Sequence, residues 1–211
     1  MNDLEQLAEY VITGKPDPAR ELTEKLLNDE VAPKDILDRC LTSAMNEVGA
    51  LYERQEYFLP EMMASAQAMQ ASMGLLRPLL TASKVEPVAT AVIGTVKGDL
   101  HDIGKNVVGM MWEGAGIEVV DLGPDVAPEA FVEAVKVHEP DIVGISALLS
   151  TTQAMMPTTI KILKEAGVRD RVKIIIGGPP TNDAFAEEIG ADGYAADASR
   201  AVRKVRELLD L

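Results

Sequence analysis

The chain has 211 residues, 47% of them hydrophobic, which suits one large or two modest domains with real cores. A net charge of -14, divided evenly between the two halves, repels phosphate backbones and anionic lipid, so nucleic acid and membrane surfaces are excluded as partners. The start, MNDLEQLAEY, has neither a basic nor an apolar run, no window approaches about 18 uninterrupted apolar residues, and the single cysteine precludes an internal disulfide; a cytoplasmic protein is expected.

In chain order, apolar residues first recur at helical spacing in four runs: Asp3 to Thr13, Pro18 to Asn28, Lys34 to Arg54 and Pro60 to Thr81. These predict a small helical bundle over residues 1–86. Cys40 sits inside the third run, where a small buried core residue is its natural role. The segment SKVEP, Ser83 to Pro87, carries the proline and charges of a domain boundary. From residue 87 onward, short β-branched runs alternate with helical ones: VATAVIGTV, IEVVDLG, DIVGISAL and VKIIIGG, then a weaker strand at Gly193 to Ala195 and a last helix, Ala198 to Leu209. Near-continuous apolar strands interleaved with helices predict a parallel sheet covered on both faces, hence a five-stranded doubly wound α/β domain over residues 87–211.

Such a sheet binds ligands at the carboxyl ends of its strands, where strand order reverses. In a 2-1-3-4-5 order that point lies between the first strand, followed by GDLHDIG, and the third, followed by SALLSTT. One crevice is thereby expected to hold His101 with Ser146, Ser150, Thr151 and Thr152, while Gly177 and Gly178 let a large ligand approach the backbone. Phosphate readings fail on spacing: Gly98 and Gly104 enclose five residues where a P-loop has four, Lys105 is followed by Asn106, and a receiver domain's aspartate is replaced near Ser146. Zinc lacks ligands, since the chain offers only His101, His138 and Cys40. One imidazole suffices only for a metal already held by a macrocycle. Asp99 could hold the far nitrogen of such a ligand, and the plain alternative is a loop histidine with Asp102 as a helix cap. Asp99 is expected in a solvent-facing crevice, where Asp99→Asn would fold.

GDLHDIGKN carries Asp99, His101 and Gly104 in the DxHxxG spacing, SALLSTT carries Ser146 and Leu148, and GGPP and ADASR follow in order. In these elements the chain resembles cobalamin-binding domains. Residues 1–86, notably NEVGALYERQEYFLPEMMASAQAM, resemble the helical cap of methionine synthase and of corrinoid proteins of anaerobic methyltransferase systems. Arg54 and Gln55 depart from that pattern, standing where relatives often have a glycine.

The resemblance implies a helical cap on a flavodoxin-like, Rossmann-like domain that binds cobalamin (vitamin B12) base-off, with His101 as the lower cobalt ligand. It implies Asp99 with Ser150 or Thr152 in a relay behind that ligand. Gly98, Leu100, Asp102, Ile103 and Gly104 would form the loop around it, and Ser146, Leu148, Gly177, Gly178 and Ala198 would line a slot for the nucleotide tail. Met62, Met69 and Met73, on one helical face, would shield the upper side of the corrin, against the plainer reading of bundle core. The function implied is a methyl carrier. A substrate:corrinoid methyltransferase would supply the methyl group, a second methyltransferase using coenzyme M or tetrahydrofolate would remove it, and a reductive activase would serve both. Methanol, methylamines, betaines and methoxylated aromatics are all open as donors. A cobalamin-dependent sensor would need a DNA-binding segment, and a cap without Trp112, the only tryptophan, lacks a large aromatic contact. The cofactor subunit of a carbon-skeleton mutase would lack the cap.

Overall fold

The structure is a computed structural model that describes residues 2–82 and 87–211. Of the SKVEP segment, Ser83, Lys84, Val85 and Glu86 lie outside the described residues. The chain divides into two compact units, Met1–Val88 with Glu113–Gly116, and Ala89–Trp112 with Ile117–Leu211.

The first unit is helical. Helix α1, Asp3–Ile12, starts with a capping box: the Asn2 side chain accepts the Glu5 N–H, and the Glu5 carboxylate accepts the Asn2 N–H, each at 2.9 Å. Helix α2, Pro16–Asn28, starts two residues before the predicted Pro18, because a proline in the first turn loses no hydrogen bond. The single helix predicted from Lys34 to Arg54 is α3, Pro33–Ile36, a π-helical turn, Leu37–Leu41, and α4, Thr42–Glu53. Cys40 lies in that turn, fully buried, its thiol directed at the Leu4 carbonyl at 3.3 Å. Burial pushes the thiol up to about 11, so it stays protonated and acts as core. After α4, Gln55 takes φ 61°, the left-handed conformation that a glycine enters more readily. Helix α5, Leu59–Ala82, packs most extensively on α2. Gly14 permits a close approach to α5: a Cβ there would lie 2.5 Å from the Ala64 Cβ. The Ile12 carbonyl accepts from Tyr57 Oη and Ser65 Oγ, and a buried Thr23–Ser72 hydroxyl pair joins α2 to α5. Met62, Met69 and Met73 are all buried.

The second unit is a five-stranded, all-parallel sheet, as the sequence predicts, in the order β2-β1-β3-β4-β5. Its strands are β1, Ala89–Thr95; β2, Ile117–Asp121; β3, Ile142–Ser146; β4, Lys173–Gly177; and β5, Gly193–Ala195. The helices are α6, Ile103–Gly114; α7, Pro128–His138; α8, Ser150–Gln153; α9, Met155–Glu165; α10, Asp183–Ile189; and α11, Ala198–Leu209. Because side chains alternate along a strand, Val92, Val143, Ile145, Ile174 and Ile176 share one face, packed with Phe131 and Val135 of α7 and Met156 and Leu163 of α9. Each such side chain, fully buried, contributes roughly 1.5–3 kcal/mol. The opposite face meets α6. There Gly144 touches the Trp112 ring so closely that an added Cβ would lie 2.8 Å from it. The parallel ladder brings the ends of β1, β3 and β4 into line, with Thr95 beside Ser146 and Ser146 beside Gly177. The loops that follow these three strands therefore share one edge.

Candidate cofactor site around His101

The loop after β1 starts as a tight turn in which the Asp99 N–H donates to the Val96 carbonyl at 3.1 Å and Gly98 takes φ 84°. Val96 is tied to β3 through the Ser146 carbonyl at 3.0 Å, and the buried Thr95 hydroxyl donates to the His101 carbonyl at 3.1 Å. The loop is thus held at both ends by the strand edge.

Asp99 is fully buried, which corrects the expectation of a solvent-facing carboxylate. Its Oδ1 accepts from His101 Nδ1 at 2.7 Å and from the His101 N–H at 3.1 Å. Its Oδ2 accepts from the Thr152 hydroxyl at 2.6 Å and from the N–H groups of Leu148 and Leu149 at 2.8 and 3.3 Å. Burial alone pushes this carboxyl up; the bonds from Thr152, Leu148 and His101 together outweigh it and hold Asp99 below the usual carboxylate range. An ionised carboxylate can only accept, so the proton of a neutral His101 resides on Nδ1 and the lone pair on Nε2. The His101 side chain is 52% exposed, and Nε2 has no hydrogen-bond partner among the described residues. Of the two candidate relay hydroxyls, Thr152 is the one that reaches Asp99. Ser150 is exposed at the start of α8 and, among the described residues, makes no hydrogen bond to Asp99.

Around this pair the surface is apolar and uncovered: Leu100 is 73% exposed and Ile103 59%, with Leu148 and Leu149 also exposed. Asp102, half-buried, passes its carbonyl to the Asn106 N–H at 2.8 Å in the first turn of α6. Beyond its chain neighbours and the backbone of its own helix, Gly104 has nothing within 4 Å of where a Cβ would be, and its φ is not positive, so neither backbone nor packing demands glycine there. Gly178 is different, since φ 121° and a Cβ 1.9 Å from the Ala147 carbonyl exclude any side chain. At Gly177 a Cβ would lie 3.1 Å from the Ala195 carbonyl. Ala198, buried, opens α11, whose cap is Asp197. The structure thus gathers Gly98, Asp99, His101, Ser146, Leu148 and Thr152 at one edge, with Gly177 and Gly178 next along it.

Three contributors lay outside the sequence reading. Leu149 stands in the quoted SALLSTT beside Leu148. Lys105, only 2% exposed, places Nζ 2.6 and 2.5 Å from the two Asp121 carboxylate oxygens and 2.6 Å from Asn106 Oδ1, tying the start of α6 to the end of β2. Asp125, from the loop after β2, accepts the Gly98 N–H at 2.7 Å. The signal for Lys105 was its place in GKN, directly after the signature glycine.

A doubly wound sheet whose switch-point edge presents an oriented imidazole amid uncovered apolar side chains defines a ligand-binding α/β domain in the class that holds large cofactors. Two family models, each described as a B12 binding domain, match residues 89–203 and 3–77. The chain belongs to this B12-binding family. It is 44% identical over 206 residues to dimethylamine corrinoid protein 3 of Methanosarcina acetivorans, covering 98% of this chain and 96% of that one. It is 42% identical over 207 residues to the dimethylamine corrinoid protein of Methanosarcina barkeri, covering 98% and 97%. Among solved structures, a cobalamin-binding protein from Desulfitobacterium hafniense matches with TM-score 0.78 and 32% identity over 99% of both chains. The methanol:cobalamin methyltransferase complex MtaBC of Methanosarcina barkeri matches with TM-score 0.87 and 28% identity, covering 99% of this chain and 80% of that one. Among the described residues, no helix is long and apolar enough to cross a membrane.

Proposed function

We propose that the chain is a corrinoid methyl carrier in which His101, through Nε2, is the lower axial ligand of cobalt in a base-off, His-on complex. The observation that carries this reading is the buried Asp99 carboxylate 2.7 Å from His101 Nδ1, which leaves Nε2, on a half-exposed ring, as the nitrogen open to a ligand. The donor chemistry fits. Among the described residues no three His, Cys, Asp or Glu side chains are grouped to hold a metal ion, and a macrocycle that brings its own four nitrogens needs just one imidazole. Leu100, Ile103, Leu148 and Leu149 supply an apolar face for a flat ring, and the open space at Gly104 suits the nucleotide tail along Ser146, Leu148, Gly177, Gly178 and Ala198.

When bound, cobalamin supplies a cobalt that accepts and gives up a methyl group. The chain's own residues bind, orient and hold a proton. Thr152 and the Leu148 N–H keep Asp99 ionised, and Asp99 accepts from His101 Nδ1, which fixes the ring's orientation. The Thr152–Asp99–His101 chain of hydrogen bonds would hold the ring in one orientation, with Nε2 as the nitrogen that could serve as the ligand.

The relatives support a methyltransferase partner. A substrate-specific methyltransferase would load the carrier, a methyl-acceptor methyltransferase using coenzyme M or tetrahydrofolate would unload it, and a reductive activase would restore it. The match to dimethylamine corrinoid proteins over 98% of the chain favours a methylamine donor, dimethylamine first. The test is electron paramagnetic resonance of the Co(II) protein loaded with cobinamide, which lacks the nucleotide base. One axial nitrogen should split the signal, and His101→Ala should remove it. An unsplit spectrum in the wild type would exclude His101 as the ligand.

A further inference from the structure

We infer that Asp125 is a positioning residue for the His101 ligand, acting through the backbone of residues 97–99; the inference rests on the reading of His101 as the axial ligand. Asp125 comes from the loop between β2 and α7. Its Oδ1 accepts the Gly98 N–H at 2.7 Å, its Oδ2 accepts from Lys97 Nζ at 3.0 Å, and its own N–H donates to the Asp99 carbonyl at 2.9 Å. It thus grips three consecutive residues of the turn that delivers His101. Gly98 sits at φ 84°, a conformation that glycine enters about as readily as its alternatives, so the acceptor on its N–H helps to select it. Asp125 itself takes φ 56°, a conformation that aspartate tolerates better than most residues. The relay is therefore held from two sides: Thr152 and the Leu148 N–H fix the Asp99 carboxylate, and Asp125 fixes the backbone that carries it.

Two of the contacts differ in worth. The Lys97–Asp125 ion pair is exposed on both partners, and such pairs contribute little. The bond from Gly98 to a carboxylate is charge-assisted and directional. What matters at position 125 is accordingly an oxygen acceptor for the Gly98 N–H rather than the ion pair with Lys97. Asp125→Gly deletes the acceptor while fitting φ 56° without strain, whereas Asp125→Asn keeps it and loses the ion pair.

The experiment uses the full chain loaded with Co(II) cobinamide, reading the fraction of molecules whose signal shows axial nitrogen, together with the exchange rate of the Gly98 amide and the urea midpoint in the unloaded protein. Asp125→Gly should lower the His-on equilibrium constant roughly threefold or more, less than the roughly 10 to 100-fold of a group bonded directly to a metal ligand, and expose the Gly98 amide, and Asp125→Asn, which keeps a neutral acceptor, should lose clearly less. Axial nitrogen at the wild-type level in Asp125→Gly, or an equal loss in Asp125→Asn, overturns the inference while leaving His101 as ligand. Persistence of axial nitrogen in His101→Ala overturns the ligand assignment itself.

Discussion

Thr152 donates its hydroxyl proton to Asp99 Oδ2 at 2.6 Å, on the oxygen opposite the one that holds His101 Nδ1 at 2.7 Å. The two ends of one buried carboxylate therefore face a hydroxyl in α8, which follows β3, and an imidazole in the loop after β1. A change at Thr152 reaches His101 without touching it.

Thr152→Val keeps the shape and removes the donor, leaving Oδ2 with its two backbone N–H partners. A hydrogen bond to a charged group contributes about 1.5–3 kcal/mol, so the variant should lose about 2 kcal/mol in urea unfolding. Thr152→Ser, which retains the hydroxyl, should lose less than half of that. Equal losses would assign the effect to the methyl group and its packing.

Asp99→Asn faces a harder constraint, because five donors converge on the two oxygens and an amide offers one acceptor and two further donors. If the amide nitrogen turns toward His101, the imidazole proton must move to Nε2 and the free base is lost. If it turns toward Leu148 and Leu149, their N–H groups lose their acceptor at about 1–3 kcal/mol. The unloaded variant should therefore be destabilised by that amount, and the loaded one should show weakened axial nitrogen. Nitrogen-15 chemical shifts of His101 in the unloaded protein would report the tautomer directly, and a proton still on Nδ1 with unchanged stability would contradict this account.

Acid should act on the same residue. In the unfolded chain Asp99 titrates near the ordinary carboxylate value of about 4, and in the folded state it is held lower, so its stabilising contribution is complete above that value and falls away as pH drops through it. Between about pH 5 and 3, wild type should lose stability more steeply than Asp99→Asn, by up to about 1.4 kcal/mol per pH unit for the one proton involved. Parallel slopes in urea titrations of the two proteins would mean that Asp99 does not enter the folded state ionised.

Much of this was legible in the chain itself. A parallel sheet covered on both faces follows from apolar runs alternating with helices, a pattern that leaves the strand order itself open, and His101 with Asp99 stands out because a histidine two residues after an aspartate occupies the loop after the first strand. The strands are shorter than the sequence suggests, Ile117–Asp121 within IEVVDLG and Lys173–Gly177 within VKIIIGG: Leu122 and Gly123 still hydrogen-bond to Ile93 and Thr95, but Gly123 takes φ 80° and Gly178 φ 121°, conformations closed to a strand. The π-helical turn at Leu37–Leu41 was invisible, since one extra residue in a turn leaves the apolar pattern nearly intact. Asp125 and Lys105 were hidden for a different reason. Charged residues are read as solvated, and only the fold brings Asp125 to Gly98, 27 positions away, or buries Lys105 on Asp121.

The glycines separate folding from binding most cleanly. At Gly178 an alanine Cβ would meet the Ala147 carbonyl at 1.9 Å, so Gly178→Ala should fold poorly whether or not cofactor is present. At Gly104 the Cβ meets nothing within 4 Å, and the residue lies in the first turn of α6, where alanine is favoured over glycine by roughly 0.5–1 kcal/mol. Gly104→Ala should therefore leave the unloaded protein as stable as wild type or more so. If the space beside Gly104 receives the nucleotide tail, the same methyl group should weaken binding of full-length cobalamin by tenfold or more, since overpacking costs about 1–3 kcal/mol. Cobinamide, which lacks the tail, should bind the variant as it binds wild type. Equal weakening of both cofactors would place the obstruction at the ring, and no weakening of either would leave the glycine at position 104 without a binding role.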